Sequence, residues 1–294
     1  MPRTNTRPPI IVIGMLRSGT TMLTRMLGEM GVFVGKGGGR HCEARLFRRL
    51  NGWMFHQVSA GWDQPEPFHL LLENKEIRDL VTDYLRISTS SPRIASFLGW
   101  RRYLKYRSLS RLDIPWAWKD PRTTYTLPLW LDVFPNARVI HIVRHGVDVA
   151  SSLKAMQQNQ LARRGMAFRH RRRIYSLITK KRGFASLRCI TLTGCFSLWE
   201  EYVERARYHL QGLGHRGLEI QYEDLLENPV EQLELVAHFA ELNLSHSQIE
   251  HIASFIQSER AYAYRRDPSL STFADTMSDR LRLIGYTETK RTRV

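Results

Sequence analysis

The chain has 294 residues, of which 43% are hydrophobic, so it can bury a sizeable core and global disorder is excluded. Lysine and arginine number 44 against 28 aspartates and glutamates, and the formal charge of +16 favours an anionic partner, whether nucleic acid, an acidic membrane surface or a small anionic cosubstrate. No apolar stretch approaches the roughly 18 residues of a membrane span, no apolar leader precedes the first strand, and the three cysteines form no disulfide framework, so we expect a cytoplasmic protein without a transmembrane helix.

The first predicted element is a buried strand at Ile10–Ile13, followed by a tight glycine loop and the start of a helix. The loop from Gly14 to Thr21 has the P-loop spacing G-x-x-x-x-G-K-S/T, except that Thr20 occupies the lysine position. Without that lysine a nucleoside triphosphate is a poor ligand. Backbone N–H groups, a helix N-terminus, two hydroxyls and the charge of Arg17 still predict a site for a smaller anionic group. A plain strand-to-helix turn is the structural alternative.

The next segments are predicted from their apolar spacing. A helix over residues 21–30 ends at Gly31, and residues 32–34 are predicted to form a short second strand. A glycine-rich connection over residues 35–40, of a kind that often covers a site, leads to Glu43. Helices are then predicted at 44–58, 69–87 and 93–107.

Later strands and helices alternate along the chain, which indicates βαβ units and a parallel sheet with ligands at the carboxyl ends of its strands. We predict one α/β domain over residues 1–294, a P-loop-like three-layer sandwich with a central, mostly parallel sheet flanked by helices. The basic segment 157–188 is expected to form a mobile insertion or lid. The strands are predicted at 116–119, 138–143 and 218–221, and the helices at 127–133, 147–156, 233–240 and 247–257.

A second candidate anchor follows the strand at 138–143. Arg144 directly follows that strand, and Ser152 lies eight residues further on in the predicted helix. Their guanidinium and hydroxyl groups could bind a second phosphate. A nucleotide with two separate phosphates would use both anchors. In isolation the pattern equally fits a structural role in which Arg144 caps a turn or pairs with Asp148.

Four segments in order carry a family resemblance: Arg17-Ser18-Gly19-Thr20-Thr21, Trp118-Lys119-Asp120-Pro121-Arg122, Arg144 through Ser152, and Tyr222-Glu223-Asp224-Leu225 followed by Asn228-Pro229. They resemble the sulfotransferases that use 3′-phosphoadenosine 5′-phosphosulfate, particularly bacterial members and the related tyrosylprotein sulfotransferases. The resemblance covers residues 9–62 and 116–240. Any one segment is a modest signal, whereas the ordered set is strong.

The resemblance implies a cosubstrate site for 3′-phosphoadenosine 5′-phosphosulfate, with adenosine 3′,5′-bisphosphate as product and no metal required. The first loop would bind the 5′-phosphosulfate, the Arg/Ser pair would bind the 3′-phosphate, and a tyrosine would lie near the nucleotide. Leu16 departs from the family's frequent proline, which loosens the loop without removing a ligand group. The implied binding residues are Arg17, Ser18, Gly19, Thr20, Thr21, Arg144, Ser152 and Tyr222.

Sulfuryl transfer needs a base for the acceptor hydroxyl and positive charge at the departing phosphate. Arg17 and Lys119 are the expected cations, since the family's Lys-Asp-Pro segment brings a lysine to the reacting group. The base is expected to be Glu43 in preference to its neighbour His41, because Glu43-Ala44-Arg45 resembles the Glu-Thr-Arg of tyrosylprotein sulfotransferases, whose glutamate is the base. The structural alternative is a Glu43 that only stabilises a helix N-terminus.

Three other classes are weighed against this interpretation. His41 and Glu43 match the His-x-Glu of zinc deaminases, but the Pro-Cys-x-x-Cys segment is missing, so a metal site is rejected. A P-loop kinase lacks the loop lysine and an evident Mg²⁺ carboxylate. A nucleic-acid-binding protein would use the basic stretch 163–182, for which a solvated helix face or a lid is the simpler interpretation.

The acceptor is not encoded in the sequence beyond its hydroxyl, and neither is the oligomeric state. A small molecule, a carbohydrate or a lipid would serve, and the basic charge is compatible with an anionic or lipid-linked acceptor and with peripheral membrane contact. Five aromatic residues line either an acceptor pocket or the core, and three arginines are candidates for closing over the nucleotide. These are Trp53, Trp62, Phe68, Trp100 and Tyr103, and Arg260, Arg265 and Arg266.

Overall fold

The computed structural model describes residues 6–36, 42–178, 186–257 and 260–286. The chain divides into two compact units. The first comprises Met1–Val143 and Tyr202–Ala261, and the second comprises Arg144–Glu201 and Tyr262–Val294.

The first unit contains a four-stranded sheet with the order β2-β1-β3-β4, formed by β1 (Ile10–Ile13), β2 (Ala117–Lys119), β3 (Arg138–Val143) and β4 (Gly217–Gln221). Each neighbouring pair is parallel. β1 is wholly apolar and buried, and β3 is apolar apart from Arg138 and His141, as expected where both faces of a parallel sheet are covered. The predicted α/β fold with a parallel central sheet is confirmed.

The helices alternate with the strands along the chain. In chain order they are α1 (Thr20–Glu29), α2 (Arg45–Gln57), α3 (Phe68–Glu73), α4 (Lys75–Thr89), α5 (Ala95–Leu98), α6 (Trp100–Tyr106), α7 (Thr123–Val133), α8 (Gly146–Ile178), α9 (Leu192–Gln211), α10 (Tyr222–Glu227), α11 (Pro229–Phe239), α12 (His246–Ala253), α13 (Pro268–Thr276) and α14 (Ser278–Leu283).

Helices cover both faces of the sheet within the first unit. On one face, Val12 and Ile140 belong to a core that includes buried side chains of α1, α11 and α12. On the other face, the ring of Trp118 stacks on Phe47 of α2, with centroids 4.1 Å apart, and meets Trp130 of α7 at 5.4 Å. Because adjacent residues of a strand point to opposite faces, the continuous apolar runs supply both cores.

The predicted short strand at 32–34 is wrong. Only Phe33 makes an isolated parallel bridge, to Trp116, with Phe33 N–H donating to the Pro115 carbonyl at 2.9 Å. Gly35 adopts a φ of 94°, which ends the extended backbone one residue after the predicted strand. The segment therefore borders β2 without forming a fifth strand.

Two predicted helices are each interrupted. The helix expected at 69–87 ends and restarts at Asn74, whose side chain accepts from the Ile77 N–H at 3.0 Å and caps α4. The helix expected at 93–107 bends at Gly99, which has a φ of 76°. α8 continues past the predicted end at residue 156 to Ile178, into the segment expected to be a lid. Residues 179–185 of that segment lie outside the described residues, and the lid stays a prediction.

Polar side chains also link the strands. His141 Nδ1 of β3 lies 2.9 Å from Glu219 Oε2 of β4, and Arg207 Nη2 of α9 donates to Glu219 Oε1 at 2.8 Å. Burial raises the pKa of Glu219, but the hydrogen bonds and charges of His141 and Arg207 outweigh burial and lower this pKa to about 2.

No helix in the described ranges is both long and apolar enough to cross a membrane.

Glu219 should contribute a stability that depends on pH. Because its pKa falls from 4.5 to about 2 on folding, this contribution is fully present above pH 4.5 and is lost as the pH falls toward 2. Urea denaturation of the wild type and Glu219→Gln should give a difference in unfolding free energy that shrinks over this window. Glu227→Gln, the same change at an exposed position, is the matched control. A difference for Glu219→Gln that stays constant down to pH 2 contradicts the assignment.

Candidate functional site

The loop after β1 has an unusual backbone. Gly14, Arg17 and Gly19 adopt φ values of 138°, 75° and 96°. A Cβ at position 14 would lie 2.6 Å from the Ile142 carbonyl oxygen, so the loop can leave the sheet here only with glycine. The Gly14 N–H donates to Thr124 Oγ1 at 3.3 Å, which fixes the start of the loop to α7.

Gly19 closes the loop and begins α1. It is the N-cap residue, in the left-handed conformation, and as a glycine it has no side chain to cap the helix. The ring of the buried Tyr222, the first residue of α10, packs so closely that a Cβ at position 19 would overlap it. Tyr222 therefore lies against the loop that follows β1, and its role near a nucleotide stays a prediction.

Three hydroxyls lie in or beside this loop. Ser18 is buried, and its Oγ has no hydrogen-bond partner among the residues that the structure describes. Thr20 is also buried at the start of α1, whereas Thr21 is partly exposed. A buried hydroxyl without a partner costs free energy, about 1–3 kcal/mol, which an anionic ligand accepting from Ser18 would recover. Arg17 is exposed at the same loop.

Lys119 brings two of the predicted site residues together. It ends β2, and its side chain is only 3% exposed. Its Nζ lies 3.4 Å from Thr21 Oγ1 and 3.3 Å from Glu43 Oε1. The Glu43 side chain is 25% exposed, so this carboxylate is accessible while its partner lysine is not. The result is a cation, a carboxylate and a hydroxyl within hydrogen-bonding reach at the edge of the loop.

Arg122 links Asp120 to α2 through hydrogen bonds that the sequence analysis did not predict. Its Nε and Nη2 donate to the two carboxylate oxygens of the buried Asp120 at 3.1 and 2.7 Å, and Nη2 also donates to the Arg48 carbonyl of α2 at 2.9 Å. Burial alone would lower the pKa of Arg122, but Asp120 outweighs burial and raises it. A Cβ at Gly52 would lie 2.9 Å from Arg122 Nη1. A glycine inside an otherwise regular helix was the available signal for this close approach.

α7 also holds α2 through a buried amide. Asn51 of α2 donates from Nδ2 to Thr123 Oγ1 at 2.9 Å, and its Oδ1 accepts from Thr126 Oγ1 at 2.9 Å and Trp130 Nε1 at 2.8 Å. Since Glu43 lies two residues before α2, and Thr124 of α7 accepts from the loop, α7 positions both the carboxylate and the loop. Such fully bonded buried networks rigidify a site.

The second unit holds the other predicted anchor. Arg144 follows the last residue of β3, and its Nη2 lies 3.3 Å from Asp148 Oδ2 of α8. Asp148 also accepts from the Ala263 and Tyr264 N–H groups at 3.2 and 2.8 Å. The structural alternative of an Arg144–Asp148 pair is therefore present. Ser152 lies on the same helix and is partly exposed.

His145, between Arg144 and α8, is buried in an aromatic setting. Its ring stacks on Tyr264 with centroids 4.3 Å apart and meets Tyr286 edge-on at 5.0 Å. Burial, together with the positive charges of Arg265 and Arg144, lowers the pKa of His145 to about 3. His145 is therefore neutral at physiological pH and leaves Arg144 as the cation of this turn.

The remaining candidates divide into core and surface residues. Phe68 and Tyr103 are buried, Trp53 packs on Tyr84, and Trp100 is exposed. Arg265 lies over the Tyr262 ring at 4.3 Å. His41 lies outside the described residues, as do the side chains of most of the basic stretch 163–182. Within the ranges that the structure covers, no three His, Cys, Asp or Glu side chains are arranged to hold a metal ion.

Comparison with known proteins gives a family match over most of the chain. The model of the sulfotransferase family matches residues 8–246. No curated protein matches the chain. Several solved structures are similar at low identity: the sulfotransferase domain from the curacin biosynthetic pathway (16% identity, 93% of this chain and 98% of that chain, TM-score 0.49), sulfotransferase STF1 from Mycobacterium tuberculosis H37Rv (16%, 93% and 77%, 0.44) and mouse sulfotransferase SULT7A1 complexed with PAP (14%, 94% and 85%, 0.43).

The packing of Tyr222 on Gly19 can be tested by alanine substitution at Gly19, with the same substitution at Gly31 as the control. Both glycines flank α1 with positive φ, but a Cβ at Gly31 meets nothing within 4 Å. Gly31→Ala should therefore cost only the left-handed strain, about 1–2 kcal/mol, while Gly19→Ala adds the overlap with the Tyr222 ring. Urea denaturation should show the larger loss of unfolding free energy for Gly19→Ala, and Gly19→Ala/Tyr222→Ala should show less than the sum of the two single losses. Equal losses at positions 19 and 31 would contradict this packing.

Proposed function

Because the chain belongs to the sulfotransferase family, we propose that it moves a sulfuryl group from 3′-phosphoadenosine 5′-phosphosulfate to a hydroxyl of an acceptor. Adenosine 3′,5′-bisphosphate is the second product. One observation carries the assignment of the reacting groups: the buried Lys119 ammonium lies between Thr21 of the phosphate-binding loop and the accessible Glu43 carboxylate. The site thus joins an anion-binding loop, a fixed cation and a base.

The loop residues fit a phosphosulfate. The positive φ values at Gly14 and Gly19 shape a turn of backbone N–H groups at the start of α1. Ser18 Oγ, buried without a protein partner in the described part of the chain, would donate to an anionic oxygen, as would the Thr20 and Thr21 hydroxyls. Arg17 is exposed beside them. Its permanently charged guanidinium can hold phosphate and sulfate oxygens together.

Glu43 is the proposed base. As the acceptor oxygen forms its bond to sulfur, its proton passes to a Glu43 carboxylate oxygen, and the bond between sulfur and the bridging oxygen breaks. The electron pair of the broken bond stays on that bridging oxygen, which leaves with the phosphate. Lys119 and Arg17 stabilise the negative charge that develops there. Lys119 also holds the Glu43 carboxylate beside the loop, so one cation orients the base and stabilises the leaving group.

Arg144 and Ser152 are proposed to bind the 3′-phosphate. Arg144 is already oriented by its ion pair with Asp148, and the neutral His145 beside it adds no second charge. Arg–phosphate bonds are strong because both partners are ionised. Tyr222 is proposed to lie near the nucleotide, where its ring also closes the loop. The reaction is proposed to require no metal, since its charge stabilisation comes from lysine and arginine.

The acceptor is proposed to be a hydroxyl-bearing small molecule, carbohydrate or lipid. The assignment of the whole reaction is tested by incubating the protein with the sulfur-labelled cosubstrate and a panel of alcohols, phenols, sugars and lipids. Transfer of label that is abolished by excess adenosine 3′,5′-bisphosphate is the expected result. The absence of both transfer and bisphosphate binding, together with ATP turnover in the presence of Mg²⁺, would instead identify a kinase.

Arg17→Ala and Glu43→Gln should each abolish most turnover. Removing a general base costs about 10²–10⁴-fold in rate, and Arg17→Ala removes charge stabilisation at the departing phosphate. The rate of label transfer measures both effects. Arg25→Ala and Glu29→Gln, exposed changes of the same chemistry on α1, should leave the rate near the wild-type value. Full activity in Glu43→Gln would remove Glu43 as the base.

Arg144→Ala should mainly weaken cosubstrate binding. Loss of charged hydrogen bonds, each worth about 1.5–3 kcal/mol, predicts a Kd for adenosine 3′,5′-bisphosphate that rises about tenfold to a hundredfold. Isothermal titration calorimetry measures this Kd without an acceptor. Arg163→Ala, an exposed change on α8, serves as the control. An unchanged Kd in Arg144→Ala would leave that residue in the structural role of pairing with Asp148.

A further inference from the structure

An apolar pair is exposed on the short helix α6. Trp100 is 65% exposed and Leu104 is 58% exposed, although both are large hydrophobic side chains. Residues four apart share a helix face, so the two side chains lie next to each other. An adjacent face, with Tyr103 and Tyr106, is buried and anchors α6, and the Tyr103 ring meets the Trp100 ring edge-on at 5.7 Å. α6 is thus a fixed helix that presents a tryptophan and a leucine to solvent.

Cations flank this pair along one side of the helix and at its C-terminal end. Arg101 and Lys105 are exposed on the neighbouring strip of the helix, and Arg107 follows at its C-terminal end. Residues 93–113 contain six arginines and lysines and one acid, Asp113. Asp113 lies 3.5 Å from Lys105, whereas no acidic side chain pairs with Arg101 in the ranges that the structure covers. The α6 surface, defined as Trp100, Arg101, Leu104, Lys105 and Arg107, is therefore apolar at its centre and positive at its rim.

We propose that the α6 surface docks the protein on an anionic lipid membrane. Tryptophan and leucine enter the boundary between headgroups and acyl chains, while basic side chains at the same level meet anionic headgroups. The charge complementarity selects this partner: Arg101 and Arg107 have no acidic partner in the described ranges, and their charges oppose the approach of a second copy of the same surface. The docking does not depend on the proposed reaction.

The α6 surface is joined to the segment that leads to Glu43. The Lys36 N–H donates to the Phe97 carbonyl of α5 at 2.7 Å, and the Lys36 side chain runs along Gly99, the residue before α6. Arg102 of α6 lies over the Phe33 ring at 4.4 Å. Residues 33–36 therefore fix α6 to the start of the glycine-rich connection, which continues to Glu43. A membrane bound at α6 would contact the protein next to residues 33–36.

The test uses the full chain and unilamellar vesicles of phosphatidylcholine with and without phosphatidylglycerol. Cosedimentation should show binding to the anionic vesicles, and weak binding to phosphatidylcholine alone. Trp100→Gln/Leu104→Gln should lower the partition coefficient by more than about tenfold, since two apolar side chains no longer enter the lipid. Arg101→Gln should lower it about fivefold, the factor for one basic side chain near an anionic surface.

Tryptophan fluorescence locates the contact. Of the other six tryptophans, four are fully buried and two, Trp53 and Trp62, are partly buried, so brominated phospholipids should quench the wild type mainly through the exposed Trp100. The fully buried four are Trp116, Trp118, Trp130 and Trp199. The quenching should disappear in Trp100→Phe, which keeps an aromatic side chain and the fold. Quenching that persists in Trp100→Phe would overturn the proposal.

Matched variants control for nonspecific hydrophobic binding and for the loss of net charge. Leu70→Gln/Leu80→Gln removes an equally exposed pair that lies among the acidic residues of α3 and α4, and Arg163→Gln removes one exposed charge from the basic stretch of α8. Both should bind anionic vesicles like the wild type. The proposal is overturned if these variants lose as much binding as the α6 variants, if the wild type binds no vesicle, or if Trp100→Gln/Leu104→Gln converts a dimer to a monomer, since a second copy would then cover the surface.

Discussion

The arrangement of the candidate site depends on the burial of one charge. The Lys119 ammonium lies at the end of β2 with almost no exposure, and a buried charge is tolerated only when it is paired and hydrogen-bonded. Its partners come from two other parts of the chain, Thr21 at the start of α1 and Glu43 before α2. Satisfying this one cation therefore brings together the loop, the strand and the carboxylate, which are up to 98 residues apart in sequence.

The fold could be predicted largely from local patterns. The apolar runs at β1 and β3 and their alternation with helices are enough for a parallel sheet, because side chains that must be buried on both faces leave no polar alternation. Predictions from local patterns were wrong where single residues and their tertiary contacts determine the ends of helices and strands. Phe33 is apolar and extended, yet Gly35 ends its pairing with Trp116 after a single bridge. Asn74 and Gly99 interrupt helices whose apolar spacing continues through them, because a side-chain cap and a positive φ act on single residues.

The candidate site was predictable to the level of residue types. The spacing of Gly14 and Gly19 predicts an anion-binding turn, and a carboxylate near a lysine is compatible with group transfer. The supporting contacts were not predictable, since they join distant segments: Thr124 accepts from the Gly14 N–H, and Gly52 leaves room for the Arg122 guanidinium. Both depend on the packing of α2 and α7 against the sheet. Gly52 inside a helix signals a close approach there, but it does not identify Arg122 as the partner. Asn51 illustrates this, because a buried amide among apolar residues looks unfavourable until its three partners are known.

The backbone conformation at position 17 of this loop costs folding free energy. Arg17 adopts a φ of 75°, a region that costs a residue with a side chain about 1–2 kcal/mol and that glycine enters freely. Glycine would lose only about 0.4–1 kcal/mol through its greater freedom in the unfolded chain. The chain therefore retains a charged side chain where a neutral residue would fold better. Glycine at position 17 would thus relieve the backbone strain and would also remove the guanidinium that we propose holds the phosphosulfate.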